Sequence, residues 1–225
     1  MFEDFIKREN KIFEILQEFN NAKLNFIVVG GYGISSYKHR FSVDVDLIIK
    51  KEDKEIFETI LKKKKFIKTV IKDLNHIYTK EFIRYELKDK LNVSVDLLID
   101  GIGSRDTDAS FSFDELLKYS KIRKIIGSEK EANVLVPDKE ILIVLKLHAG
   151  RLTDIRDIVA LSRDIDLDLI KKFIFRGKIN LVKKNIEKLL SLLHDKGFMD
   201  SFKGVFIEKK YDLDLESLNK LKKLL

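Results

Sequence analysis

The chain reads as an α+β protein, with its strands in the first 136 residues and helices after them. Three observations carry this. Apolar residues alternate with polar ones over 42–50 and 91–99, the period-two pattern of a strand. From Pro137 to Leu225 the apolar residues recur with helical spacing, broken near Gly150, Gly177 and Gly197. One proline and ten glycines in 225 residues leave few forced interruptions, so long helices are tolerated.

Taken in order, residues 4–20 place Phe5, Ile6, Ile12, Phe13, Leu16 and Phe19 on one face of a helix. Asn25–Gly30 (NFIVVG) is a short apolar run closed by glycines and reads as a buried strand. In Ser42–Lys50 (SVDVDLIIK), Val43, Val45 and Leu47 fall on one side of a strand and Asp44 and Asp46 on the other. Asp53–Lys64 reads as a helix opened by an acidic N-cap. Residues 66–72, 76–88 and 91–99 read as strands, with Asp73, Asn75 and Asp89 as turn residues; the last alternates around Asp96. Ser112–Tyr119 forms a short helix, and 122–136 a hairpin around Gly127 and Asn133. Pro137-Asp138-Lys139-Glu140 starts the helical half. The expected organisation is therefore an α/β half over 1–136 and an all-helical half over 137–225 packed against it, with no low-complexity linker and no internal repeat.

Composition narrows the chemistry. The chain has no cysteine and four scattered histidines, which excludes disulfides and thiolate sites and leaves a hard cation on carboxylates as the expected metal. No apolar run approaches the ~20 residues of a membrane span, and the acidic start Met1-Phe2-Glu3-Asp4 lacks a signal peptide's apolar core. A cytoplasmic protein is expected. The net charge of +7 fits a nucleotide or nucleic-acid partner. Six basic residues and no acid lie between Lys171 and Ile186, and Lys62–Lys65 is a second basic run; either alone is ordinary for a solvated helix face.

The segment Val28–Ile49 concentrates the chemistry. A strand ends at Gly30-Gly31, a short helix with Ser35 and Ser36 follows, then His39-Arg40, then the strand bearing Asp44 and Asp46. Carboxylates at i and i+2 on a strand converge within reach of one or two divalent cations, and Mg²⁺ takes one or two carboxylates plus phosphate oxygens. Glycines let backbone N–H groups approach an anion closely. Two acids interrupting an otherwise apolar strand are costly without a cation. Lys146 stands out in the same way inside the apolar run Ile141–Leu147, where an idle lysine would reach for solvent. Arg40 is placed to contact phosphate or pair with Asp44. His39 and His148 are expected to be structural, since Mg²⁺ does not favour imidazole.

The run from Gly30 to Asp46 (GGYGISSYKHRFSVDVD) resembles the signature of polymerase-β-type nucleotidyltransferases, in the form seen in the AbiEii abortive-infection toxins. Lys146–Ile158 (KLHAGRLTDIRDI) resembles that group's second conserved stretch, and the likeness covers roughly residues 20–165. Gly33-Ile34 departs from the group's usual Ala-Leu. The resemblance implies a mixed sheet with flanking helices, followed by an all-helical C-terminal half. It implies that Gly30, Gly31 and Ser35 line the triphosphate of an NTP. Asp44, Asp46 and Asp96 would hold Mg²⁺, as one ion or two, with Asp96 the third carboxylate and a candidate base. Lys146 would reach a phosphate oxygen, while Arg151, Asp154 and Asp157 form a charged cluster behind it. The implied reaction is transfer of NMP from an NTP to an acceptor, with tRNA-like RNA favoured and a separately encoded antitoxin as partner. The alternatives are a transferase that NMPylates a protein, a small-molecule acceptor, and a nucleotide- or nucleic-acid-binding module without chemistry.

Overall fold

The computed structural model of the protein describes residues 2–74, 77–79, 81–88, 90–201, 206 and 213–225. Asn75 and Asp89, expected as turn residues, and His76 and Lys80, expected within a strand, lie outside the described residues, as do Met1 and the stretches 202–205 and 207–212 of the helical half.

Helix α1 (Phe2–Asn21) leads into β1 (Phe26–Val29), the short α2 (Gly30–Ser35) and β2 (Asp44–Ile49). Helix α3 (Lys54–Lys63) is followed by strands β3 (Ile67–Asp73), β4 (Glu81–Leu87) and β5 (Val93–Ile99). The ribbon β6 (Gly101–Gly103) and β7 (Ser110–Ser112), helix α4 (Phe113–Leu117) and strands β8 (Ser120–Ile126) and β9 (Glu131–Pro137) complete the first half. Helices α5 (Lys139–Ala149), α6 (Leu152–Ala160), α7 (Leu167–Ile174), α8 (Ile179–Leu192), α9 (Lys196–Asp200) and α10 (Leu215–Asn219) follow. Phe206 makes an isolated bridge back to Arg40.

Seven strands form one mixed sheet in the order β3-β4-β5-β2-β1-β9-β8. The central strands are buried on both faces: β5 is buried throughout, and Val45, Leu47, Ile48 and Ile49 of β2 are fully enclosed. The stripe Ile12, Phe13, Leu16 and Phe19 is wholly buried and sets α1 against β5, β9 and α3. Phe19 meets Phe57 of α3 edge-on with ring centroids 4.7 Å apart, a favoured aromatic geometry. The apolar helix α5 packs against α6, α7 and α8 and also touches α2 and β9. It thereby brings the helical half up to the strand ends where the acidic residues sit.

Several local readings differ. Val43 precedes β2 and is exposed, because pairing begins only at Asp44. Asp53 closes a 3₁₀ turn, and its side chain caps nothing; Asp100 accepts from the Lys51 N–H instead, at 2.8 Å. Asn133 lies inside β9, and the hairpin turns at Gly127–Lys130. Gly197 lies inside α9, whose N-cap is Asp195, accepting from the Phe198 N–H at 2.6 Å. The β6–β7 ribbon had no clear signal, since three-residue strands are too short to show alternation.

Candidate active site

Strand register assembles the site. In the parallel pair β2–β5, Asp46 lies opposite Asp96; in the antiparallel pair β4–β5, Arg84 lies opposite Asp96. Paired residues on neighbouring strands share a face, so Asp46, Asp96 and Arg84 form a row across three strands, with Asp44 two residues from Asp46. Arg84 grips Asp96 with a fork: Nε donates to Oδ1 at 2.7 Å and Nη2 to Oδ2 at 2.6 Å. Nη2 also reaches Asp44 Oδ2 at 3.3 Å. The Asp96 side chain is 4% exposed, against 38% for Asp44.

Gly30 opens α2 at φ +61°, and a Cβ there would lie 1.8 Å from Asp46 Oδ2. The glycine serves both needs at once, a left-handed backbone and a bare approach to the carboxylate. A Cβ on Gly31 would lie 2.1 Å from the Ser42 hydroxyl oxygen. Ser42 is itself buried and donates to the Asp44 carbonyl at 3.2 Å. Ser35 closes α2, buried at the opposite end from Gly30.

The second layer comes from the helical half. Helix α5 stops at Gly150, which takes φ +64°, and the chain turns at once into α6. Lys146, near the end of α5, is held at 2.8 Å by both Asp154 and Asp157. These two aspartates are three apart, hence on one face of α6, and each is 1% exposed. Arg40 pairs with Asp157. Arg151 pairs with Asp154 through Nε at 2.6 Å and Nη2 at 3.1 Å, while its backbone N–H donates to the same carboxylate. The five residues run as an alternating chain: Arg40, Asp157, Lys146, Asp154, Arg151.

The two layers communicate through charge. Burial pushes the Asp46 carboxyl up to about 7, and Asp44 and Asp96 add to the rise; Lys146 and Arg151 oppose it. Burial also raises Asp96, with Arg84 pulling the other way. Asp154 is held below the ordinary carboxylate range: its burial is outweighed by Arg151 and Lys146. Lys146 is held above the ordinary ammonium value, its own burial outweighed by Asp157 and Asp154.

Asp46 and Arg151 open into a cleft of about 480 Å³, otherwise lined largely by apolar side chains such as Phe82, Leu98, Ile102 and Phe111. His148 lies at its wall, 1% exposed, with Nδ1 2.9 Å from the Thr107 hydroxyl. Burial and then the charge of Arg176 pull His148 down to about 4, so it stays neutral near pH 7. His39 is only partly buried.

Among the described residues, no group of three or more His, Cys, Asp or Glu side chains stands close enough to hold a metal ion. Both oxygens of Asp96 are engaged by Arg84. Asp44 and Asp46 remain as a carboxylate pair, and two carboxylates suit Mg²⁺ when phosphate oxygens supply further ligands. Half of the six basic residues in the stretch 171–186, Lys171, Arg176 and Lys178, are paired with acids. Arg176 forks onto Glu115 at 2.8 and 2.5 Å, and Lys178 pairs with Asp108 at 2.8 Å.

A sequence model described as nucleotidyl transferase AbiEii toxin, Type IV TA system, matches residues 14–197. This chain belongs to the AbiEii nucleotidyltransferase family. No curated protein matches it in sequence. Among solved structures, JHP933 from Helicobacter pylori aligns with TM-score 0.50 and 17% identity, covering 99% of this chain and 90% of that one. An antigenic nucleotidyltransferase-like protein from Paracoccidioides brasiliensis gives 0.47 and 13%, over 87% and 92%. The lincosamide antibiotic adenylyltransferase LnuA, lincomycin-bound, gives 0.47 and 18%, over 70% and 98%. At 17% identity the likeness to JHP933 is one of fold alone. In this AbiEii-family chain the structure adds Arg84 and Ser42 to the residues singled out from sequence. Ser42 stood inside the Gly30–Asp46 run; Arg84 had no local signal, since only cross-strand register brings it to Asp96.

Proposed function

We propose that this nucleotidyltransferase moves NMP from an NTP onto RNA, with Mg²⁺ held by Asp44 and Asp46, in a toxin–antitoxin setting with a separately encoded antitoxin as partner. One observation carries the reading: Asp46, crowded by Asp44 and Asp96, faces the bare backbone of Gly30 and opens into a cleft shared with Arg151. The Mg²⁺ would polarise the α-phosphate and steady the charge on the attacking and leaving oxygens.

The chain's own residues do the rest. Gly30 and Gly31 let backbone N–H groups meet the triphosphate, with Ser42 as the hydroxyl beside Gly31 and Ser35 further along α2. Arg151, whose side chain is 71% exposed, reaches a phosphate oxygen. Lys146 and Arg151 oppose the rise of Asp46 and so favour its ionised, cation-binding form. Arg40 ties the loop before β2 to Asp157. The apolar cleft takes a base or the acceptor's end. We assign residues 1–136 to the catalytic unit and 137–225 to a helical unit that supplies Lys146 and Arg151. RNA is favoured as acceptor by the net charge of +7 and by membership of a toxin family.

The test is incubation with Mg²⁺ and each α-³²P-labelled NTP in the presence of total RNA and of cell protein, beside a D44A/D46A variant. Label on a discrete RNA band, lost in the variant, is the expected result. Label on a protein band moves the acceptor to protein. Labelling that persists in the variant shows that the assigned metal pair is wrong.

A further inference from the structure

We propose that Arg84 occupies the place of a second cation, so that this site works with one divalent ion on Asp44 and Asp46. The inference rests on the reading of Asp44 and Asp46 given under Proposed function and goes beyond it, because it assigns Asp96 to the arginine.

Geometry comes first. The guanidinium spends two donors on Asp96, at 2.7 and 2.6 Å, and extends one of them to Asp44 Oδ2 at 3.3 Å. That is a bridge between two carboxylates, the task a second metal ion would perform. A guanidinium remains charged at any working pH and matches a carboxylate edge in a planar fork.

Position comes next. Arg84 is fixed opposite Asp96 by the β4–β5 register, and Asp96 opposite Asp46 by β2–β5. Central strands do not slip by one residue without turning every buried side chain outward, so the arginine is built into the row of acids. The Asp96 carboxylate is 4% exposed, and a buried carboxylate needs its counter-charge close by.

Charge gives the same count. Asp44, Asp46 and Asp96 bring three negative charges into one half-buried row. The guanidinium cancels one, and a single divalent ion cancels the other two. A second divalent ion on Asp96 would have to displace Arg84, which already engages both of its oxygens. Arg84 is thus the charge-neutralising residue of the site, and Asp96 acts through it.

The experiment is Mn²⁺ titration of the full chain, read by electron paramagnetic resonance, with an α,β-methylene NTP analogue present. The wild type is expected to bind one Mn²⁺ per chain with the spectrum of an isolated ion. Arg84→Met, shown folded by its thermal melt, is expected to bind a second Mn²⁺ and to show spin coupling between the two. Arg84→Lys, which keeps the charge, is expected to stay at one ion. A coupled pair of ions in the wild type overturns the proposal, and needs no variant to fold. So does an Arg84→Met variant with unchanged ion count and affinity. D44N/D46N separates this failure from that of the underlying reading: if that variant binds Mn²⁺ like the wild type, the metal pair itself is misassigned.

Discussion

Gly30 and Asp46 meet so closely that no side chain fits between them: a Cβ on the glycine would lie 1.8 Å from the carboxylate Oδ2. Val29, the residue before it, pairs with Asp46 across β1–β2, so neither backbone can withdraw without breaking the sheet. Gly30→Ala therefore turns the carboxylate away and strains a left-handed backbone. Misplacing a reacting group by ~1 Å costs about 100-fold in rate, and we expect a loss of at least that size in kcat/KM. Melting should fall by only a few degrees, as about 1–2 kcal/mol of strain implies. Wild-type turnover by Gly30→Ala would show that the contact does no positioning.

Lys146 carries the second prediction. Its ammonium is shared by two carboxylates at 2.8 Å, each 1% exposed. Removing one partner of a buried ion pair costs about 3–5 kcal/mol. Arg40 and Arg151 remain on the two acids, so Lys146→Met should sit at the lower end, near ~3 kcal/mol by chemical denaturation. Once Asp154→Asn is present, the same change should cost clearly less, because contacting charges couple. Strict additivity in that double-mutant cycle would contradict the chain of alternating charges.

Asp46 should show the opposite sign. Its carboxyl is raised to about 7 by burial and by Asp44 and Asp96, so the folded state holds the proton more tightly than the unfolded chain does. The associated stability is present at low pH and is lost as pH rises through 7. Asp46→Asn removes that penalty. In EDTA at pH 8 the variant should be more stable, by up to about 4 kcal/mol for a shift from 3.8 to about 7, while metal-dependent NTP turnover is abolished. A destabilised variant at pH 8 would mean that Asp46 is satisfied by contacts of its own.

Much of this site was legible along the chain and part was not, and the division follows sequence separation. Alternation alone put Asp44 and Asp46 on one face, because side-chain direction in a strand depends on the next residue only. The apolar run around Lys146 likewise marked a cation in a buried helix. What alternation cannot give is the partner strand. Asp46 and Asp96 are level because β2 and β5 are parallel neighbours in this register, a fact spread over fifty positions. Arg84 lies in a strand that reads Glu81-Phe-Ile-Arg-Tyr-Glu-Leu87, where an arginine looks like any other solvated residue. The expected cap at Asp53 failed for a local reason: Asp53 lies in the right-handed helical region, and a capping side chain needs extended backbone.

The last prediction concerns pH and His148. Burial and Arg176 pull this imidazole to about 4 from an ordinary 6.5, and its ring packs edge-on against Phe111 while Nδ1 meets Thr107. The unfolded chain binds the proton below pH 6.5 and the folded chain resists it until about 4. Between those values the unfolded state holds more protons, so stability rises with pH and reaches its plateau above 6.5. The shift implies a loss of up to about 3 kcal/mol as pH falls through that window. Other carboxylates titrate there too, so the informative quantity is the difference between wild type and His148→Gln, which has no charge to gain. Denaturation midpoints from pH 4 to 8 should converge toward the acid end, the variant losing less than the wild type. Two curves that stay parallel across the whole range would show that His148 takes up its proton without leaving the fold.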